Sequence, residues 1–427
     1  METAIASLHR PISRRSLAVA AFSTIVEWYD FTLYLYFATV LARLFYGDTG
    51  EALSFTLGSF ALAYLMRPLG AVVFGHVGDR HGRRAMLLWS VALMTAAMLA
   101  TALLPTAASI GAAAGWLLFL LRCVMGFSVG GEYSGVVAYL LEGAAPGRRG
   151  LIASLASAAS EVGALLAVGV SALTVALTSE AQLADWGWRI PFLVGALLAG
   201  SVWIARSSME ESPEFIRQVA AGTVPDSPWR HSLAHHKLGI FRAFSISALG
   251  SITYYVGITY VPAFLTTAGR LSEGDSLWLG TAAAVAVILV TPLTGLLSDR
   301  IGRKPVLIGV GIASALLPAT LFSWMAGAGP GAALAGALVL ACVAGAMSAV
   351  GAVATAEQFA GEGRVSGLAI GATGATAIFG GITPWLAQRL IDRTGEASTP
   401  GVMIALVALA VLPVFATLRE TAPRLRR

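Results

Sequence analysis

Long uncharged apolar runs constrain this chain more than any other feature of its sequence. Two of them, LGTAAAVAVILVTPLTGLL at 279–297 and GVMIALVALAVLPVFATL at 401–418, contain no ionisable residue. A helix of about 20 apolar residues spans the hydrocarbon core of a bilayer. Only 12% of the 427 residues are charged, against about 25% in soluble proteins. The chain is therefore predicted to be an all-α polytopic membrane protein.

The apolar runs fall into two sets of six. We predict transmembrane helices at residues 17–42, 52–74, 85–106, 114–142, 150–178, 188–206, 239–268, 276–297, 305–326, 331–358, 366–392 and 401–418. The predicted organisation is an N-terminal six-helix half at 1–206, a cytoplasmic linker at 207–238 and a C-terminal six-helix half at 239–427. The first apolar run is too long and too polar for a signal peptide, so we interpret it as a retained helix.

The basic residues predict the orientation of the helices. Most of the 28 Lys and Arg residues fall in the two tails, in the linker and in the loops that lie on the same side of the membrane as the tails and the linker. The opposite loops carry Arg43, Arg270 and Arg393. Because basic loops stay on the cytoplasmic side, both termini are predicted to be cytoplasmic, in a bacterial inner membrane.

A short motif occurs twice in the chain. GHVGDRHGRRAML at 75–87 recurs as GLLSDRIGRKPVL at 295–307, each time in the predicted loop after the second helix of a half. The corresponding residues are Gly75, Asp79, Arg80, Gly82, Arg83 and Arg84 in the first copy and Gly295, Asp299, Arg300, Gly302, Arg303 and Lys304 in the second. Two halves with one motif each are typical of a duplicated transporter with a site at the interface of the halves.

We predict that these repeated loops control gating. When the cytoplasmic side is closed, Asp79 and Asp299 are expected to meet the N-terminus of a neighbouring helix or an arginine of the other half, because negative charge is stabilised at a helix N-terminus. The glycines allow a tight turn. The alternative interpretation is a solvated basic loop that only sets topology.

The repeated motif resembles the signature loop of the major facilitator superfamily. Further stretches resemble its metabolite:proton symporter branch, namely EWYDF at 27–31, RCVMGFSVGGEYSG at 122–135, WGWRIPFL at 186–193, EESPEF at 210–215 and AIFGGITP at 377–384. The resemblance covers nearly the whole chain and implies the major facilitator fold. Carriers in that branch transport citrate, tricarballylate, 2-oxoglutarate, shikimate, proline or betaine. The second half looks closest to the citrate and tricarballylate carriers, whereas helix five, with Ala156, Ser160 and Glu161, lacks the glutamines of that subgroup.

We single out five ionisable residues inside the predicted helices, where a charge costs at least about 2.5–3.5 kcal/mol. They are Glu27, Asp30, Arg122, Glu132 and Glu161. We hypothesise that Arg122 anchors an anionic substrate and that Asp30 carries the proton, with Glu27, Glu132 and Glu161 as further proton-coupling candidates. An arginine suits a carboxylate because its planar fork binds both oxygens. The alternative is a static network of buried ion pairs.

Tyrosines supply the remaining candidates for substrate binding. Tyr254 and Tyr255 fall near the middle of predicted helix seven, and Tyr34 lies one turn after Asp30. A buried tyrosine hydroxyl usually has a polar partner, so a substrate contact and plain core packing are both open.

The resulting prediction is proton-coupled uptake of a small organic anion by alternating access. The expected partners are a small-molecule substrate, protons and the lipid bilayer, with no nucleic acid, and the expected oligomeric state is a monomer. No cofactor is expected besides the proton, and no enzymatic or metal motif is apparent; His231 and His235 lack a completing acid or cysteine. The alternatives are symport of a zwitterionic osmolyte or another carboxylate, export of a drug or siderophore, and a transporter-like sensor.

Overall fold

Helices form the regular structure throughout the part of the chain that the computed structural model describes, which is residues 12–47, 52–269, 271, 273–359 and 362–422. A bilayer offers backbone groups no hydrogen-bond partner, so a spanning segment must satisfy them within its own helix. We number the twelve main helical segments α1 (Arg14–Tyr36 and Ala38–Tyr46), α2 (Ala52–Tyr64 and Met66–Arg80), α3 (Arg83–Leu103), α4 (Ala113–Val129 and Glu132–Gly143), α5 (Arg149–Leu177), α6 (Arg189–Ser207), α7 (Lys237–Tyr254, Tyr255–Thr259 and Val261–Thr267), α8 (Glu273–Ile301), α9 (Arg303–Gly327), α10 (Gly329–Ala356), α11 (Arg364–Leu368, Ala369–Thr373, Gly374–Phe379 and Thr383–Thr394) and α12 (Thr399–Thr417).

Each of the twelve predicted spans coincides with one of these segments. Among the described residues, nine helices are long and apolar enough to cross a membrane, or ten if the two parts of α7, which meet at 43°, form one span. The other two predicted spans are α1 and α2. Both are interrupted, at Phe37 and Leu65 respectively, and both carry ionisable residues among their apolar ones.

The interruptions are the main difference between the predicted and the observed helices. Helix α4 was expected to be continuous but breaks at Gly130 and Gly131. Helices α7 and α11 each contain a five-residue π-helical turn, at Tyr255–Thr259 and Ala369–Thr373. Such wider turns are frequent at functional sites, and the apolar pattern of the sequence does not reveal them.

The structure divides into two compact units. The first unit comprises residues up to 143 together with 159–229, and its apolar core includes Tyr29, Phe45 and Trp188. The second unit comprises 144–158 together with the chain from residue 230, and its core includes Phe264 and Phe322. The first ten residues of α5 thus belong to the second unit, although the rest of this helix belongs to the first.

Candidate functional site

The first unit contains a buried ion pair between α1 and α4. Arg122 Nη1 donates to Asp30 Oδ2 at 2.9 Å, and Arg122 Nη2 donates to Asp30 Oδ1 at 3.0 Å. Both residues are less than 5% exposed. A two-point pair of this kind fixes the plane of the guanidinium as well as its position. The structure therefore brings together the two residues that the sequence hypothesis links.

Tyr34 completes the surroundings of this pair. Its ring lies below the Arg122 guanidinium, with 5.0 Å between the guanidinium carbon and the ring centroid. Its hydroxyl is hydrogen-bonded to the Ser59 hydroxyl at 3.0 Å. The aromatic face stabilises the cation, while the contact with Ser59 holds the ring in place. Tyr34 thus contacts the arginine that the sequence identified as the anion anchor.

The Asp30–Arg122 pair borders a small cavity in the first unit. The cavity has a volume of about 30 Å³ and is lined by Glu27, Asp30, Arg67, Arg122 and six less polar residues. Glu27 Oε1 lies 3.9 Å from Arg67 Nη1. Arg67 was not among the predicted site residues. The sequence contained a signal for it, because LMRPLG at 65–70 places an arginine inside an otherwise apolar segment.

Glu132 is part of a second buried pair in the same unit. Arg206 Nη1 donates to Glu132 Oε2 at 3.2 Å and to the Leu87 carbonyl at 2.6 Å, and Arg206 Nη2 donates to Glu132 Oε1 and to the Ser23 hydroxyl. The Ser90 hydroxyl also donates to Glu132. Arg206 lies near the end of α6. The side chain is fully buried because its hydrogen bonds and its acid partner replace water.

The remaining membrane candidates are Glu161, Tyr254 and Tyr255. Glu161 is buried in α5. Tyr254 and Tyr255 lie in the second unit, where Tyr254 ends the regular part of α7 and Tyr255 begins its π-helical turn. Their rings meet edge to face, with 5.5 Å between the centroids. Gly380 of α11 leaves room for the Tyr255 ring, since a Cβ there would lie 2.8 Å from Tyr255 Cε2.

The first copy of the repeated motif forms a closed ionic cluster. Arg83 Nη1 donates to the Gly78 carbonyl at 2.7 Å and lies 3.2 Å from Asp79 Oδ1, while Arg83 Nη2 donates to Glu142 Oε1 at 3.2 Å. Gly75 is buried. Arg80 donates to the Asp226 carbonyl and Arg84 to the Ser207 carbonyl. Arg83 thus ties the end of α2 to the end of α4.

The second copy repeats this cluster in the second unit. Arg303 Nη1 donates to Asp299 Oδ1 at 2.8 Å, and Arg303 Nε donates to Glu357 Oε2 at 3.4 Å. Asp299 also accepts from the backbone of Gly150 at 2.8 Å and of Leu151 at 2.9 Å, at the N-terminus of α5. Asp299 thus meets the N-terminus of a neighbouring helix, as expected. Its arginine partner, Arg303, lies four residues further along the same half of the chain and not on the other half.

Gly295 explains why this contact needs a glycine. A Cβ at Gly295 would lie 2.4 Å from Ser154 Oγ and 2.7 Å from the Gly150 carbonyl oxygen. The helices α5 and α8 therefore touch through their backbones, which lets Asp299 reach the first residues of α5. Arg300 faces outward on the same turn of α8.

More residues of the motif are helical than the sequence predicted. Gly75, Asp79 and Arg80 belong to the last turns of α2, and Gly295, Asp299 and Arg300 belong to α8. The prediction that each copy lies in a loop was therefore wrong. Only a short turn separates the helices, because Gly82 and Gly302 adopt φ of 103° and 107°, values that a glycine adopts at no steric cost.

Two further glutamates cap the helices that follow these turns. Glu211 accepts from the backbone N–H of Arg83 at 2.9 Å and of Arg84 at 3.2 Å. Glu420 accepts from the backbone N–H of Arg303 at 2.9 Å and of Lys304 at 3.1 Å. Sequence reasoning missed both caps. The signal was present, since Glu-Ser-Pro at 211–213 and Glu-Thr-Ala-Pro at 420–423 are similar and follow the sixth and twelfth helices.

The two caps differ in their electrostatics. Burial raises the pKa of the Glu211 carboxyl above its ordinary value, although hydrogen bonds from the backbone of Ser212, Arg84 and Arg83 oppose the shift. Burial also acts on Glu420, but four backbone N–H groups outweigh it and leave the pKa of that carboxyl below its ordinary value. These donors belong to Ala422, Arg303, Lys304 and Thr421. The pKa values of the two capping carboxyls are therefore shifted in opposite directions.

Comparisons with known proteins agree with this architecture. The family model described as Sugar (and other) transporter matches residues 17–223 and 226–425. The proline/betaine transporter of Salmonella typhimurium is 30% identical over 422 residues, covering 96% of this chain and 84% of the relative. The citrate-proton symporter of Salmonella typhi is 33% identical over 399 residues, covering 92% and 91%. The solved structure of the proton:xylose symporter XylE superposes with a TM-score of 0.78 at 20% identity, covering 95% and 96%.

Twelve spans in two halves, each half carrying the same ionic motif, define a secondary membrane transporter of the major facilitator superfamily and not an enzyme. The chain belongs to the Sugar (and other) transporter family, whose model covers nearly all of it.

Proposed function

We propose that the protein is a proton-coupled symporter that takes up a small organic anion, a di- or tricarboxylate such as citrate, by alternating access across a bacterial inner membrane. The observation that carries this proposal is the two-point Asp30–Arg122 pair beside a cavity. A charge at membrane depth is retained where it has a function, and here the cation is one that binds carboxylates through two parallel hydrogen bonds.

The coupling follows from competition for one guanidinium. Protonation of Asp30 removes the negative charge that holds Arg122, and Arg122 then binds a carboxylate of the substrate. After the substrate leaves, Asp30 releases its proton and pairs again with Arg122. Arg122 pairs either with charged Asp30 or with a carboxylate of the substrate, but not with both. Each transported carboxylate is therefore accompanied by one proton. The proton is the only coupling agent that this scheme requires.

The relatives support the general scheme and leave two substrate classes in view. A citrate-proton symporter and a proline/betaine transporter are similar to this chain to nearly the same degree. A zwitterionic osmolyte is therefore the second candidate. We favour the anion because the cavity contains two arginines, Arg67 and Arg122, and an osmolyte with one carboxylate needs only one of them.

The proposal is tested by uptake into proteoliposomes that hold the purified full chain. An imposed pH gradient, alkaline inside, is expected to drive accumulation of citrate or 2-oxoglutarate, and a protonophore is expected to abolish it. Betaine and proline serve as the comparison substrates. Accumulation of betaine and proline alone would overturn the anion assignment, and accumulation that is indifferent to the protonophore would overturn the coupling.

A further inference from the structure

The cavity beside Asp30 and Arg122 contains a second acid–arginine pair that the proposed mechanism does not use. Glu27 of α1 and Arg67 of α2 line the same cavity, with Phe31 and Tyr64 forming part of its wall. Glu27 is 2% exposed. A cavity of about 30 Å³ exceeds the roughly 10–15 Å³ that one water needs, so a small polar group has room between the two pairs.

Close helix packing places both arginines at this cavity. A Cβ at Gly126 would lie 2.4 Å from the Ala63 carbonyl oxygen, and a Cβ at Gly130 would lie 2.1 Å from the Arg67 carbonyl oxygen. The two glycines, four residues apart, let the backbones of α2 and α4 touch, as small residues do at helix contacts within membranes. Arg67 and Arg122 therefore approach one space from two helices.

The two pairs differ in how tightly they are formed. Asp30 and Arg122 share two hydrogen bonds of 2.9 and 3.0 Å, whereas the nearest oxygen of Glu27 is 3.9 Å from Arg67. Within the described residues, Glu27 Oε2 is buried and has no hydrogen-bond partner. A buried acceptor without a partner is unfavourable by about 1–3 kcal/mol. A protonated Glu27 donates a hydrogen bond to the carboxylate of a ligand that has taken Arg67, and this gives the buried oxygen a partner.

The Arg67 guanidinium is placed on aromatic faces. Its central carbon lies 5.0 Å from the centroid of the Phe31 ring and 4.7 Å from that of the Tyr64 ring. Stacking of this kind stabilises an arginine through its flat faces and orients the planar N–H fork.

We propose that Arg67 is a second anion anchor and that the substrate carries two carboxylates, one for Arg122 and one for Arg67. This inference rests on the proposed uptake of an organic anion. Glu27 takes the same part at Arg67 that Asp30 takes at Arg122, so a dicarboxylate enters with one proton on each acid. The other charged groups that act on Glu27 are Glu132 and Arg206, which already form their own pair.

The test compares succinate with succinamate, which has the same chain length and one carboxylate replaced by an amide. In Arg67→Gln, the KM for uptake of succinate is expected to rise by about tenfold or more, the loss of one charged hydrogen-bonded contact. The KM for succinamate is expected to change by less than about twofold, since Arg122 alone holds one carboxylate. Glu27→Gln, which removes the competing charge, is expected to lower the KM for succinate. Equal changes for both compounds would overturn the role of Arg67.

A binding measurement separates this inference from the proposed function. Thermal unfolding of the detergent-solubilised chain is followed with succinate and with succinamate, in the wild type and in Arg67→Gln. Greater stabilisation by succinate that disappears in the variant supports the second anchor even if no pH-driven uptake occurs, an outcome that would reject only the symport scheme. Arg67→Lys serves where the glutamine variant does not fold, because it keeps the charge and loses the planar fork. Full succinate binding by both variants would contradict the inference.

Discussion

Two buried ion pairs of the first unit have the same chemistry and different surroundings. The Asp30–Arg122 pair borders a cavity and contains two hydrogen bonds between its own members. The Glu132–Arg206 pair is surrounded by further donors and acceptors, namely the hydroxyls of Ser23 and Ser90 and the Leu87 carbonyl. The first pair has space into which a competing ligand can enter, and the second is closed on the sides that these groups occupy.

Burial alone therefore does not distinguish a residue with a role in transport from a residue with a role in stability. Both arginines are at most 4% exposed, so exposure does not separate them. A charge that exchanges partners needs adjacent room and few competing hydrogen bonds. A charge that fixes helices needs its hydrogen bonds filled by the protein.

Removal of Arg122 is expected to have the largest effect on transport. Arg122→Met deletes the anchor and leaves Asp30 without its two-point partner. Uptake of the substrate is expected to fall by about a hundredfold or more, because losing a buried charged contact is unfavourable by roughly 3–5 kcal/mol. The measurement is the initial uptake rate in proteoliposomes, normalised to folded protein. A variant that retains more than a tenth of the wild-type rate would contradict the anchor role.

Loss of the acid from the closed pair, Glu132–Arg206, is expected to lower stability and not the transport rate. Glu132→Gln leaves the Arg206 charge buried without its acid, which is expected to lower the free energy of unfolding by about 3–5 kcal/mol. The double variant Glu132→Leu with Arg206→Met is expected to recover most of that loss, because apolar groups of similar size replace a buried pair at little net change. Thermal unfolding in detergent measures both.

The double variant also sharpens the comparison on the transport side. If the closed pair is structural, proton-driven uptake per folded molecule remains within about twofold of the wild type. A stable double variant without proton-driven uptake would show that Glu132 or Arg206 takes part in coupling, as the sequence hypothesis for Glu132 allows.

The caps of α3 and α9 extend the comparison to charges outside the membrane. The pKa of Glu420 is lowered in the folded protein, so its charge contributes stability above the ordinary pKa of 4.5 and loses that contribution as the pH falls through the folded pKa. Glu420→Gln is expected to lower stability by about 1 kcal/mol at neutral pH. The difference from the wild type is expected to shrink on acidification below pH 4.5.

Glu211→Gln is the matched control for this prediction. The pKa of Glu211 is raised, so the folded protein binds its proton more tightly than the unfolded chain does. Its contribution to stability is therefore expected to fall as the pH rises above 4.5, the opposite slope to that of Glu420. Unfolding of both variants is followed from pH 7 down to about pH 3, which covers the range below the ordinary pKa of 4.5. Equal slopes for the two would show that the caps are electrostatically equivalent.

Much of the fold could be predicted from the sequence because apolar length and basic-residue bias act over whole helices. The link between Asp30 and Arg122 could also be predicted, since few charges lie inside the apolar runs. The pairing of Glu132 with Arg206 could not, because Arg206 lies 74 positions further along the chain and at a helix end, where an arginine is usually solvated. The position of Arg67 at the cavity depends on Gly126 and Gly130, which let α2 and α4 pack closely. Helix packing of this kind has no local signal in the sequence.

In the proposed scheme, Asp30 carries the proton that is exchanged when Arg122 binds a carboxylate. Proton movement during transport by Asp30→Asn measures this role of Asp30. In weakly buffered proteoliposomes, addition of substrate to the wild type is expected to raise the external pH. In Asp30→Asn we expect no pH change on addition of succinamate, whose single carboxylate competes only with Asp30 at Arg122. Exchange of labelled for unlabelled substrate is expected to persist because Arg122 remains. A substrate-induced pH rise in Asp30→Asn equal to that of the wild type would contradict the account.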